Sequence, residues 1–166
     1  DHRDVQPILA QHLKRTLDIR LGGALAQVQD RPLRHARRPR RKRGADGLKF
    51  GPRPYSVASS PLVRDSIEFY IVEVDGGEFT SHLFKKKIGE TVWYMGPKGK
   101  FVLSRTTLKH LVFICTGTGL APFISMLRTL KGQGKSRDFT ITLMFGNRTC
   151  AELGYLDELR ACETDP

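Results

Sequence analysis

The chain has 166 residues, 39% of them hydrophobic, enough for one domain or for two small or incomplete ones with an ordinary soluble core. Its net charge of +11 first suggests a polyanion binder, but residues 31–43, "RPLRHARRPRRKR", hold eight Lys or Arg and no acid, so the basicity belongs to one run rather than to a domain. No apolar run is long enough to span a membrane, and Cys115, Cys150 and Cys162 lack zinc-ligand spacing, which fits buried thiols in a reducing compartment.

The opening "DHRDVQPILA" has neither the apolar core of a signal peptide nor an initiator Met, so the chain reads as cytoplasmic and as a piece of a longer protein. Residues 5–29 carry weak helical periodicity broken by "LGG". Residues 30–48 are rich in Arg and Pro and poor in apolar side chains, which predicts irregular or disordered chain. From Lys49 the character changes. "PYSVAS" alternates like a strand, and "SIEFYIVEV" (66–74) predicts a stronger one. "DGGEF" is a turn, and "TSHLFKKK" predicts a short helix capped by Thr80 or Ser81. "ETVWYMG" reads as a third strand and "PKGKFVL" as a turn into a fourth.

Beyond residue 107 the pattern switches. "HLVFIC" is a continuous apolar strand, "TGTGLAP" a glycine turn, and the helix that follows should stop at Gly132 or Gly134. "FTITLMFGNRT" predicts a second buried strand and "AELGYLDELRA" an amphipathic helix. Strand, helix, strand, helix at this spacing implies parallel pairing. A parallel sheet needs both faces covered, so about three more strands are expected after Pro166. The expected domains are an atypical segment 1–48, a β module 49–106, and the start of an α/β module 107–166.

Three stretches carry candidate chemistry. "TGTGLAP" (116–122) lies at the carboxyl end of a buried strand, where backbone N–H groups and the helix dipole favour a phosphate. It is neither a Walker loop nor a GxGxxG pattern, and a turn that needs glycine for geometry alone is the plain alternative. "GGEFTSHLF" (76–84) is a second glycine turn into a helix, readable as a phosphate site or as an ordinary helix start. In "RPYSVASSP", Arg53 and Tyr55 fall on one strand face, where a planar guanidinium suits a pyrophosphate and the aromatic suits a flat ring.

"RPYSVAS", "GGEFTSHLF", "GPKGKF", "CTGTGLAPF" and "FGNRTCAELGYLDEL" occur in the order and spacing of the ferredoxin–NADP reductase family, and the chain resembles its bacterial ferredoxin/flavodoxin reductases over about residues 50–162. The resemblance implies an antiparallel, Greek-key type β-barrel FAD module followed by a truncated α/β parallel-sheet module for NADP(H). It implies an R-x-Y-S site over Arg53, Pro54, Tyr55 and Ser56. There the arginine holds the FAD pyrophosphate, the tyrosine stacks on the isoalloxazine, and the serine hydrogen-bonds near flavin N5. It also implies that Tyr70, Ile71 and Val72 flank the ribityl and adenosine portion, and that Glu78, Phe79 and Thr80 meet the pyrophosphate, mostly through backbone N–H. Thr116, Gly117, Thr118 and Gly119 match the motif that receives the nicotinamide nucleotide. Arg148 is a candidate for the 2′-phosphate of NADP, with a plain surface role as its alternative. The implied chemistry is hydride transfer between NADPH and flavin, with single electrons exchanged with ferredoxin or flavodoxin. Lys85, Lys86 and Lys87, with Lys98 and Lys100, form a possible basic patch for such an acidic partner, or simply a solvated helix face.

The chain departs from the family upstream of Arg53, where the first barrel strands are expected and none is legible. There the Arg-rich segment reads either as an out-of-frame or unrelated stretch or as a basic arm. Alternative functions are an NADH-dependent reductase component of an oxygenase, an electron-transfer subunit, and a nucleic-acid or partner-binding protein acting through residues 31–43. The last is disfavoured because no aromatic residue interleaves the run.

Overall fold

An antiparallel sheet and a parallel sheet organise the computed structural model, which describes residues 25–29, 53–64, 66–86, 93–95 and 99–164. In the first, β1 (Leu25–Gln29) lies between β2 (Arg53–Ser56) and β3 (Trp93–Met95), pairing Leu25 with Ser56 on one side and Gln29 with Trp93 on the other. The helical periodicity expected over residues 5–29 therefore gives way to a strand at its end. Five residues are too few to hold a helix alone, and two ladder partners decide the matter. The expectation of irregular chain at 30–48 lies outside the described residues.

The segment 66–74, expected as a strong strand, runs extended but joins only one bridge among the described residues, Val57 with Phe69. Its side chains still alternate. Ile67, Phe69 and Ile71 enter one buried cluster with Val57, while Tyr70 turns to the opposite side into another. The segment is thus packed on both sides. The first cluster is closed by α1 (Glu78–Lys85), whose Phe79, Leu83 and Phe84 face inward at helical spacing. This helix starts before the expected Thr80 or Ser81 cap: Gly77 is the N-cap, and Thr80 lies within the first turn. The fourth strand expected at "PKGKFVL" does not form among the described residues; Leu103–Arg105 is a single 3₁₀ turn. Phe101 instead sets its ring edge-on to Phe123, with centroids 5.5 Å apart, which draws the chain toward the second module.

That module pairs β4 (His110–Thr116) in parallel with β5 (Thr140–Gly146), in register from His110–Thr140 to Thr116–Gly146. Between them runs α2 (Ala121–Gly132), which ends at the first of the two expected glycines. The Gly134 N–H donates to Lys131 O and the Lys135 N–H to Leu130 O, so the orphan carbonyls of the last turn are satisfied. The final helix, α3, covers Leu156–Thr164. Phe113 stacks on Phe123 at 4.3 Å and shares a cluster with Met126, Leu111 and Leu143, so α2 covers one sheet face. Both strands were expected to be buried throughout. Among the described residues the opposite face is open, with Val112 60%, Ile114 71% and Met144 56% exposed. No helix among the described residues is long and apolar enough to cross a membrane.

Candidate functional site

The strand β2 presents Arg53 and Pro54 at the surface and leaves Tyr55 and Ser56 half-buried. Extended backbone sends alternate side chains to the same face, so Arg53 and Tyr55 lie together as expected. Tyr55 rests beside Phe79, the second residue of α1, with ring centroids 5.8 Å apart. The fold thus joins the Arg-Pro-Tyr-Ser strand to the first turn of the helix, two stretches well separated in the chain. Burial raises the Tyr55 phenol above its ordinary value, against the opposing charge of Arg53, so the ring is neutral at physiological pH.

At that helix start the backbone is tightly built. The Gly77 N–H donates to Val74 O at 2.8 Å, and the Val74 N–H donates to Thr80 Oγ1 at 3.1 Å. A Cβ on Gly77 would stand 2.6 Å from Thr80 Oγ1 and 2.8 Å from Val74 O, so the turn admits no side chain. By accepting this bond the Thr80 hydroxyl braces the turn. The backbone N–H groups of Glu78, Phe79 and Thr80 form the first helical turn, where donors lack intrahelical partners and the dipole is positive. Such donors suit an anion.

Of the three residues expected along the same ligand, only Val72 has an exposed side chain. Ile71 is committed to the core cluster. Tyr70 meets Tyr155 edge-on at 5.2 Å and donates its hydroxyl to Glu152 O at 3.1 Å. The side chains of Tyr70 and Ile71 are thus engaged within the protein.

The second constellation lies at the carboxyl ends of β4 and β5. Thr116 ends β4, and residues 117–120 form a 3₁₀ turn before α2 begins at Ala121, with Pro122 in its first turn. Gly117 adopts a φ of +54° that favours glycine, and among the described residues the only neighbour a Cβ there would meet is Asn147 Oδ1 at 3.5 Å. The turn therefore lies next to Asn147. Sequence reasoning passed over that residue, although it follows Gly146, the register partner of Thr116. Its amide is held by donation from Nδ2 to Glu152 O at 2.7 Å. Arg148 projects outward, its side chain 88% exposed, with Nη2 3.6 Å from Glu152 Oε1. Exposed pairs of this length hold an arginine weakly, leaving it able to turn to an anion.

The two constellations adjoin. Ala58, just beyond Ser56, shares one buried cluster with Tyr70, Leu120, Ala121 and Tyr155. Among the described residues no group of three or more His, Cys, Asp or Glu is arranged to hold a metal ion.

Three tyrosines of this region, Tyr55, Tyr70 and Tyr155, have phenols raised above their ordinary value, first of all by burial; Tyr155 is raised further by donating to Glu68 Oε1 at 2.6 Å. A phenol raised in the folded state binds its proton more tightly there than in the unfolded chain. The stabilisation is complete below the unfolded value and is lost as pH rises above it. Melting temperatures should therefore hold steady through neutral pH and fall above about pH 10. Tyr155→Phe should flatten that alkaline fall, and an unchanged slope would remove Tyr155 as its source.

Residues 48–103 match the family model described as an oxidoreductase FAD-binding domain, and residues 113–165 match that of an oxidoreductase NAD-binding domain. The chain is 38% identical over 118 residues to the flavodoxin/ferredoxin–NADP reductase of Rhodobacter capsulatus, an alignment spanning 69% of this chain and 42% of that protein. It is 35% identical over 108 residues to the reductase component of propane 2-monooxygenase from Mycolicibacterium goodii, spanning 64% of this chain and 30% of the relative. The chain thus spans less than half the length of these relatives. Among solved structures, a ferredoxin NADP+ reductase from Neisseria gonorrhoeae with bound FAD and NADP aligns with a TM-score of 0.63 and 25% identity, over 83% of this chain and 50% of that one. An Amycolatopsis cytochrome P450 reductase aligns at a TM-score of 0.65 and 22% identity, over 91% of this chain and 41% of that one, which shows a shared fold.

Proposed function

The chain belongs to the ferredoxin–NADP reductase type of flavoprotein reductases, and from that premise we propose that it forms the flavin- and nucleotide-binding part of an FAD-dependent oxidoreductase. The observation that carries the proposal is the contact of Tyr55 with Phe79, which joins the Arg-Pro-Tyr-Ser strand to the first turn of α1, near a glycine turn at the ends of two parallel strands. The donor set fits the group. Arg53 and the backbone N–H groups of residues 78–80 would hold the FAD diphosphate, Tyr55 would cover one ring face, and Ser56 would meet the ring edge. Thr116, Gly117, Thr118 and Gly119 would receive the nicotinamide nucleotide, with Asn147 and Arg148 at its rim. FAD, when bound, supplies the step between two-electron hydride chemistry and single electrons. The chain's own part is to align the two rings and to keep water out.

In this reading the sheet β2–β1–β3 is part of an antiparallel barrel within residues 49–106, with β1 contributed from the segment before it, and residues 107–166 open the nucleotide domain. The redox partner is a ferredoxin or flavodoxin. Lys85 and Lys100 are exposed and supply positive charge for an acidic surface, together with Lys86; Lys87 and Lys98 lie outside the described residues. Nucleic-acid binding rests on residues 31–43 alone, which also lie outside them. We place the protein in the cytoplasm.

A second reading, an NADH-dependent reductase component of an oxygenase, is favoured by relatives such as that of phenol 2-monooxygenase in Pseudomonas, 36% identical over 104 residues. One experiment tests both. The chain should take up FAD and turn yellow, and nicotinamide nucleotides should bleach it under anaerobic conditions. Arg148→Ala should weaken NADPH about 10- to 100-fold, as for loss of a charged hydrogen bond, and leave NADH unchanged. Equal loss with both nucleotides would leave Arg148 no selective role. A protein that takes up no FAD would defeat the proposal.

A further inference from the structure

Helix α2 carries Ser125, Arg128 and Thr129 on one face, at the three- and four-residue spacing that aligns side chains along a helix. Each is bonded to one of three consecutive residues following the Arg-Pro-Tyr-Ser strand. Ser125 Oγ donates to Ser59 O at 2.7 Å, Arg128 Nη1 donates to Ala58 O at 3.1 Å, and Thr129 Oγ1 shares a hydrogen bond with Ser60 Oγ at 2.9 Å. The guanidinium reaches further. Nη1 also donates to Glu68 Oε2 at 2.7 Å, while Nε and Nη2 grip both oxygens of Glu158 on α3 at 2.6 and 2.8 Å. Glu68 is tied in turn to the same stretch, its N–H donating to Ser59 Oγ at 3.0 Å, and it accepts the Tyr155 hydroxyl. One arginine on α2 thus bridges three elements of the seam: the strand extension 58–60, the segment 66–74 and α3.

We infer that Arg128, with Ser125 and Thr129, is a positioning residue that locks the strand bearing Tyr55 and Ser56 onto the helix that opens at the Gly117–Leu120 turn. This deepens the proposed function and rests on it. The reason is geometric. Hydride transfer requires reacting atoms about 3–3.5 Å apart, and a misplacement of about 1 Å costs up to a hundredfold in rate. Here one ring would sit on the strand and the other at the turn, so their spacing is inherited from the seam. The apolar contact of Ala58 with Leu120 and Ala121 brings the two together but is non-directional. Modules joined by such a contact move relative to each other by default. The bonds from α2 to residues 58–60 have direction and fix the register. The side chains of Arg128 and Glu68 are only 27% and 25% exposed, so water competes weakly for this pair.

The test compares the unsubstituted chain with Arg128→Met, Arg128→Lys and Ser125→Ala, all loaded with FAD and mixed anaerobically with NADPH or NADH. Arg128→Met should slow flavin bleaching at saturating nucleotide by about tenfold or more while the nucleotide Kd stays within about twofold. Arg128→Lys, which keeps charge but loses the fork, should fail to restore the rate. Ser125→Ala, a small change that should leave the fold intact, should show a smaller loss of the same kind. Hydrogen exchange on the FAD-free chain is read alongside. In Arg128→Met, amides of residues 57–60 and 117–121 should exchange about tenfold faster together, with the interior of β4 and β5 unchanged. Bleaching at the unsubstituted rate, or exchange unchanged at both segments, would overturn the inference. If the unsubstituted chain takes up no flavin or is not bleached, the reductase reading falls, and exchange alone then decides whether the clamp exists.

Discussion

Replacing Tyr55 with alanine is expected to weaken FAD binding about 10- to 100-fold, the loss that follows when an aromatic platform is removed from a flat heterocycle. The ring's setting is compatible with such a platform. It stands half-buried on β2 against Phe79, so its orientation is set before any ligand arrives, and its phenol stays neutral because burial opposes ionisation. Tyr55→Phe keeps the platform and should retain most of the affinity, which separates stacking from any role of the hydroxyl. Flavin titration followed by quenching of its fluorescence reads both variants. Unaltered affinity in Tyr55→Ala would reduce the residue to a packing partner of Phe79.

The second large effect is expected at Gly77. A methyl group there would stand 2.6 Å from Thr80 Oγ1 and 2.8 Å from Val74 O. The first is a side-chain atom but the second is main chain, and it also accepts the Gly77 N–H. Neither can retreat without opening the turn that aims the first turn of α1. Gly77→Ala should cost about 1–3 kcal/mol from overpacking. FAD affinity should fall with it, because the N–H groups of residues 78–80 would no longer converge. Urea unfolding of the apo chain measures the first effect and flavin titration the second. A variant with native stability and native affinity would show that the turn yields more easily than its contacts suggest.

Legibility differed sharply between the two modules. In "HLVFIC", "TGTGLAP" and "FTITLMFG" the signals are local: apolar runs, glycines at a turn and a proline in the first helical turn. Parallel pairing of β4 with β5 and the helix stop at Gly132 followed from them. Before residue 107 the determinants are long-range, and the reading failed at several points. Leu25–Gln29 looked like the end of a weak helix but became the central strand because two partners pair with it. Residues 66–74 have strand composition but join only one bridge among the described residues, and the segment is packed on both sides. Thr80 looked like a helix cap, yet its hydroxyl bonds back to Val74, since Gly77 had already started the helix.

The candidate site divides in the same way. Arg53, Tyr55, Ser56, Gly117 and Gly119 were chosen for chemistry that their own side chains or lack of them express, and the sequence alone supplied that choice. Asn147, Ser125, Arg128 and Thr129 were not visible, because polar residues on a helix face or after a strand look like solvated surface until a partner is opposite them. Composition and spacing determined which residues could meet a flavin and a nucleotide, because stacking, charge and backbone freedom are properties of single residues. Only the tertiary structure decided how the two halves of the site face each other. That arrangement resides in hydrogen bonds between residues 58–60 and α2, and bonds between distant segments have no period in the sequence to reveal them.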